Sequence, residues 1–250
     1  MSLLRLILFC LPVLSSCARY TVSNAHAHND YEHPSPFFTA YNAGFGSIEA
    51  DAFLRDGQLY VAHDNVDIKP ERTLTSLYLE PLNSMIKKNN GNVYAEKKKH
   101  LILLIDLKTA AEPTLDAVLK SLLPYESLIK ASSLKIVITG NQPEPPALLN
   151  YPSYIFFDGR LNQTYTTEAL KKIALFSDNF RKYSLWKGDN IIDEKDKKKI
   201  MQEVKKAHDL GKPIRFWATP DVPNAWKLMK EMKVDFINTD KIEEVAAFLK

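Results

Sequence analysis

Glu49 and Asp51 stand two residues apart in a segment, 47–54, whose pattern reads as a β-strand, so both carboxylates leave the same face. Two carboxylates on one face repel unless a positive charge lies between them, and a hard divalent cation fills that role. Asp106 and Lys108 repeat the spacing at the end of a nearly unbroken apolar run, 101–107. A charge in such a run is costly unless it is paired or bound to metal. Three carboxylates suit Mg2+ or Ca2+ better than zinc, which prefers His and Cys. Of the six histidines, His26 and His63 end the first two strand segments, close to these acids. Their near-neutral imidazoles suit one accepting a proton while the other donates one. His28 is open to several roles: acid–base group in place of His26, metal ligand, or contact to substrate or to Asp64, with substrate contact favoured over direct catalysis. Lys108 beside an acidic site is a natural phosphate contact, and Trp217, in Phe216-Trp217-Ala218-Thr219-Pro220, reads on its own as a core aromatic.

These residues need elements to hold them. Strand patterns begin near residues 22, 47, 101, 135, 154, 183, 214 and 235, and helical patterns alternate with them, notably at 35–43, 75–88, 113–123, 167–176, 194–210, 222–232 and 242–249. The 194–210 segment is the clearest helix, with Ile200, Val204, Ala207 and Leu210 on one stripe, Asp193 as its N-cap and Gly211 as its stop. Eight strands alternating with helices in 250 residues read as a single α/β domain, a (β/α)8 TIM barrel with its site at the C-terminal ends of the strands.

The sequence His26-Ala27-His28-Asn29-Asp30-Tyr31, then Gly44-Phe45-Gly46-Ser47-Ile48-Glu49-Ala50-Asp51, Asp56-Gly57 and His63-Asp64, resembles the glycerophosphodiester phosphodiesterases. More broadly it resembles the phospholipase C-like phosphodiesterases, including the sphingomyelinase D enzymes and a His-Ala-His-Asn-Asp-Tyr branch related to the altered inheritance of mitochondria proteins. The likeness is densest over residues 25–64 and returns weakly at 104–108, 216–220 and 234–240. It implies a metal-dependent phosphodiesterase with His26 and His63 as catalytic pair and Glu49, Asp51 and Asp106 as ligands of one Mg2+ or Ca2+. His28, Lys108 and Trp217 would contact a glycerophosphodiester or lysophospholipid head group. The chain departs from the common pattern where Ala27 replaces the phosphate-binding Arg, and where Asp106 stands for a Glu. Two other readings compete. His26-Ala27-His28 with Asp240 also resembles the start of an amidohydrolase zinc site, but no histidine ends a middle strand. A non-catalytic ligand-binding barrel is the other.

Composition bounds the partners. Apolar residues make up 45% and charged residues 25%, ordinary for a globular protein, and the net charge of +3 is too small and scattered to argue for nucleic acid. At the N-terminus, Arg5, an apolar run over 6–14 and Leu14-Ser15-Ser16-Cys17 resemble a bacterial lipoprotein signal. The expectation is a leader over 1–17 lipidated at Cys17, a barrel over 18–250, and a membrane-anchored bacterial lipoprotein held at a membrane surface by its acyl chains. Cys10 and Cys17 are the only cysteines, so the mature chain has no disulfide.

Overall fold

The computed structural model describes residues 20–250; the expected leader and Cys17 lie outside the described residues. The first strand, β1 (Ala25–Ala27), is shorter than the sequence pattern predicts. Thr21 and Asn24 cap each other across a single 3-10 turn over Val22–Asn24: the Thr21 side chain accepts from the Ser23 N–H and the Asn24 side chain from the Thr21 N–H. With those donors satisfied locally, the strand begins only at Ala25.

The ring continues through β2 (Ser47–Arg55), β4 (Leu101–Leu107), β5 (Leu134–Gly140), β6 (Ile155–Gly159), β7 (Ile173–Asn179), β8 (Ile214–Trp217) and β9 (Ile237–Thr239), all parallel. β9 pairs with β1, and one parallel bridge between Arg215 and Phe236 joins the two ends of the sheet into a nearly closed barrel. β3 (Gln58–Val61) stands outside the ring. It pairs antiparallel with the overhanging end of β2 through Asp56-Gly57, both at positive φ (51° and 78°). This is the backbone a two-residue hairpin requires, and it returns the chain toward His63 at the barrel mouth.

Helices α1 (Phe38–Ala43), α2 (Glu80–Lys88), α3 (Ala111–Leu122), α4 (Glu126–Lys130), α5 (Thr167–Lys171), α6 (Glu194–Asp209), α7 (Pro223–Glu231) and α8 (Ile242–Leu249) lie between the strands, α3 and α4 both following β4, with a 3-10 segment over Pro145–Asn150 in place of an α-helix between β5 and β6. α6 matches the sequence pattern, buries Ile200, Val204 and Ala207, and is capped by the Asp193 carboxylate. The sixth barrel strand does not. The pattern predicts helix over 167–176 and strand over 183–186, whereas α5 stops at Lys171 and the strand is β7. Ile173-Ala174-Leu175-Phe176 is apolar on every side, which suits a strand covered on both faces better than a surface helix. Leu185, at the expected strand, is instead 81% exposed.

Alternation then sorts the barrel interior into layers. Ile102, Leu104, Val137, Ala174 and Leu175 form an apolar floor. Two residues further along the same strand faces come Asp106, Thr139 and Ser177, with Asp158 two beyond Phe156. The apolar floor excludes water from below, so these polar groups must satisfy one another or something entering from above.

Candidate active site

The deepest polar layer is an ion network. Arg215 on β8 is 3% exposed, and its Nη1 donates to Glu49 Oε2 at 2.7 Å and to Asn238 Oδ1 at 3.2 Å. Its Nε reaches Ser177 Oγ at 3.1 Å, and its Nη2 lies 3.7 Å from Asp158 Oδ2. His26 on β1 is fully buried in this layer, with Nε2 2.7 Å from Glu49 Oε2, Nδ1 2.7 Å from Ser47 Oγ, and Nε2 against Arg215 Nη1. Burial, then the Arg215 charge, pulls the His26 pKa down to about 3, so its ring is neutral. Burial works against ionised Glu49, but Arg215 and His26 hold its pKa well below the ordinary carboxylate value.

Above it sits the acidic trio. β2 and β4 are in register with Asp51 opposite Asp106. Lys108 Nζ spans the pair, 2.9 Å from Asp51 Oδ2 and 2.6 Å from Asp106 Oδ2. One oxygen each from Glu49, Asp51 and Asp106 lies within 4.8 Å of the others. Asp51 Oδ1 and Asp106 Oδ1 are buried and have no hydrogen-bond partner among the described residues. An all-oxygen donor set with two unsatisfied buried acceptors fits a hard divalent cation. Burial, then Glu49, raises the Asp51 pKa to about 6 despite Lys108, and burial raises that of Asp106. The Lys108 pKa is itself raised, since the two aspartates outweigh its burial.

The His-Asn-Asp-Tyr turn builds the rim. β1 ends at Ala27, and His28 lies just past it, its N–H donating to Thr239 O at 3.0 Å and its Nδ1 2.8 Å from Asp240 Oδ1. Asn29 takes a left-handed conformation (φ 47°) that turns the chain. Asp30 fastens the turn by accepting from the Phe37 N–H and the Tyr78 hydroxyl. Tyr31 then points inward, its hydroxyl donating to Asp51 Oδ2 at 2.8 Å, with His63 Nδ1 3.2 Å from the Tyr31 hydroxyl oxygen. Both His28 and His63 are therefore held through Nδ1, and the Nε2 of neither makes a hydrogen bond among the described residues. Burial lowers the His28 pKa, but the Asp240 hydrogen bond and the Glu49 charge outweigh it and the net shift is upward.

A cavity of about 380 Å³ opens at the C-terminal ends of the strands and brings together His28, His63, Glu49, Asp51, Asp106, Lys108 and Trp217. Of the sequence-predicted residues His26 alone among those described does not line it. Trp217 is 41% exposed at the mouth. The middle strands contribute Thr139, Asp158 and Ser177 where a zinc amidohydrolase reading needs histidines. Arg215, Asp158 and Arg160 escape the sequence reading. Yet a charge within an apolar strand, the signal that singles out Asp106, is equally present in Phe157-Asp158 and Ile214-Arg215-Phe216.

Residues 17–143 match a family model described as an AIM6-like phosphodiesterase domain, and residues 213–243 match the glycerophosphoryl diester phosphodiesterase family. An altered inheritance of mitochondria protein 6 homolog from Arthroderma benhamiae is 27% identical over 263 residues, covering 89% of this chain and 82% of the relative. A glycerophosphodiester phosphodiesterase from Parabacteroides distasonis superposes with a TM-score of 0.54 at 18% identity, over 92% of this chain and 96% of that one. An Oleispira antarctica phosphodiesterase solved with the product sn-glycerol-3-phosphate gives 0.54 at 14% identity, over 90% and 95%. These structural likenesses establish the TIM-barrel fold. The fungal origin of the altered inheritance of mitochondria proteins overturns the expectation of a bacterial lipoprotein. The Leu-Ser-Ser-Cys signal behind it is a four-residue pattern, whereas the relationship to the fungal proteins extends over most of the chain.

Proposed function

The chain belongs to the AIM6-like phosphodiesterase family, and from that premise we propose that it is a metal-dependent phosphodiester hydrolase acting on glycerophosphodiesters or (lyso)phospholipid head groups, with His28 and His63 as its acid–base pair. The observation that carries the reading is the pair of imidazoles held through Nδ1, with Nε2 unbonded, lining one cavity with the acidic trio and Lys108. His26, assigned to catalysis from sequence, is better suited to fixing Glu49, since both its ring nitrogens are engaged below the cavity.

Glu49, Asp51 and Asp106 would hold one Mg2+ or Ca2+, whose charge offsets that of the phosphate and of the transition state. His28, whose proton the Asp240 carboxylate favours, gives it to the departing alcohol oxygen. His63 takes the proton of the attacking hydroxyl, so one P–O bond forms as the other breaks and the two histidines exchange protonation states. Lys108 keeps Asp51 and Asp106 from repelling each other.

The test is hydrolysis of bis(p-nitrophenyl) phosphate by the full chain with Mg2+, with Ca2+ and with EDTA. Turnover that EDTA abolishes and one cation restores is the expected result. Folded protein inactive with both cations on this ester and on glycerophosphodiesters overturns the reading.

A further inference from the structure

The acid–base pair, the trio and Lys108 occupy one side of the cavity. The other side is built by the ends of β5, β6 and β7: Thr139, Gln142, Asp158, Arg160 and Ser177. Its hydrogen bonds leave a specific remainder. Gln142 Nε2 donates to the Asp158 carbonyl at 2.6 Å, which fixes the amide and leaves Oε1 buried without a partner. Asp158 is 3% exposed; its Oδ2 accepts from Thr139 Oγ1 at 3.1 Å, and its Oδ1 is buried without a partner. Two neighbouring residues of one wall thus each hold an acceptor that nothing among the described residues satisfies, and such groups carry a desolvation cost until a donor arrives. Arg160 stands beside them, one guanidinium N–H on Gly140 O at 2.9 Å.

Three alcohol classes can be weighed against this wall. An acyl chain offers nothing to the acceptors. A choline-type alcohol has no O–H or N–H donor to offer Gln142 Oε1 or Asp158 Oδ1. A neutral polyol brings adjacent hydroxyls that donate to Gln142 Oε1 and Asp158 Oδ1 and accept from Arg160.

We propose that Gln142, Asp158 and Arg160 form the subsite for the departing alcohol of the phosphodiester, as distinct from the glycerol that every glycerophosphodiester shares, and select a neutral polyol over a choline-type alcohol there. The proposal rests on the phosphodiesterase reading for its substrate, but its discrimination is also a binding property. A site built to hydrogen-bond a substrate hydroxyl rejects an analogue lacking it far more strongly than an apolar pocket rejects a missing methylene.

The experiment measures two quantities on the full chain. One is kcat/KM for glycerophosphoinositol against glycerophosphocholine. The other is the calorimetric Kd of inositol 1-phosphate against phosphocholine. The expected result is a preference for the inositol compound of at least about ten-fold in each, roughly one lost hydrogen bond. Gln142→Leu should remove most of that preference by weakening the inositol compound alone. Equal or reversed preference in binding overturns the proposal, as does a preference that both Gln142→Leu and Asp158→Asn retain. Absence of hydrolysis with the binding preference intact would overturn the catalytic reading and leave the subsite standing. Equal hydrolysis of both esters would do the reverse.

Discussion

His26 and His28 lie two apart, and alternation would send both side chains the same way. What separates them is where β1 stops: His26 is paired with Ser47 and Asn238 inside the sheet, and His28 follows the last paired residue. The first is neutral and sealed, the second is raised in pKa and faces the cavity. His28→Ala and His63→Ala are therefore expected to lower kcat by about 10²- to 10⁴-fold, the usual worth of a positioned acid or base, with little change in Tm. His26→Ala is expected to cost about 3 kcal/mol of stability, because it removes a donor from buried, ionised Glu49 and leaves a void. Steady-state kinetics paired with thermal melts separates the two; a His26→Ala protein as stable as the parent contradicts the assignment. At this scale the acidic trio is legible in the sequence, since a two-residue spacing fixes a shared face wherever the strand begins. The choice between the histidines is not legible, because it depends on the length of a three-residue strand set by its neighbours.

At the scale of elements, the end of β5 controls the trio as much as the strand that carries Asp106. Gly140 adopts φ 73°, and a Cβ there would stand 1.8 Å from Asp106 Oδ1 and 2.8 Å from Leu107 O. The first collision is with the very oxygen that has no partner. Gly140→Ala must then displace the Asp106 carboxylate and hold a left-handed backbone, at a cost of about 1–3 kcal/mol. The expected outcome is a lower Tm together with weaker cation binding in a calorimetric titration with Mg2+ and Ca2+. Unchanged cation affinity would show that Asp106 is not a ligand. The same scale explains the misread sixth strand. Residues 173–176 carry a short apolar run that periodicity alone assigns to either element, and only a place in the barrel wall between β6 and β8 buries side chains on both its faces. The long helix α6 and the run of β4 are legible because each satisfies its own pattern locally.

For the whole molecule the decisive quantity is the charge inside the barrel. In the buried layers four carboxylates, Glu49, Asp51, Asp106 and Asp158, face two cations, Arg215 and Lys108, with Arg160 exposed at the rim, so the inner groups carry an excess of two negative charges if all ionise. Burial raises Asp158 and Asp51 to about 6, and raises Asp30, beneath the rim turn, to about 6 as well. Each folded value exceeds the unfolded one of 3.8, so the folded state holds the extra protons. The stability this contributes is complete below about pH 4 and is lost as pH rises through 6. His28, also raised, acts in the same direction, whereas Glu49, held low, acts in the opposite one, its contribution complete once pH is above the ordinary carboxylate range. In EDTA, Tm is therefore expected to fall between pH 5 and about pH 7.5. A divalent cation at pH 7.5 should recover much of the loss by pairing with Asp51 and Asp106, and should do little at pH 5, where protons already serve that end. A melt series with and without cation decides it. A Tm that rises with pH in EDTA, or a cation effect as large at pH 5 as at 7.5, would mean that the interior is not charged as its geometry implies.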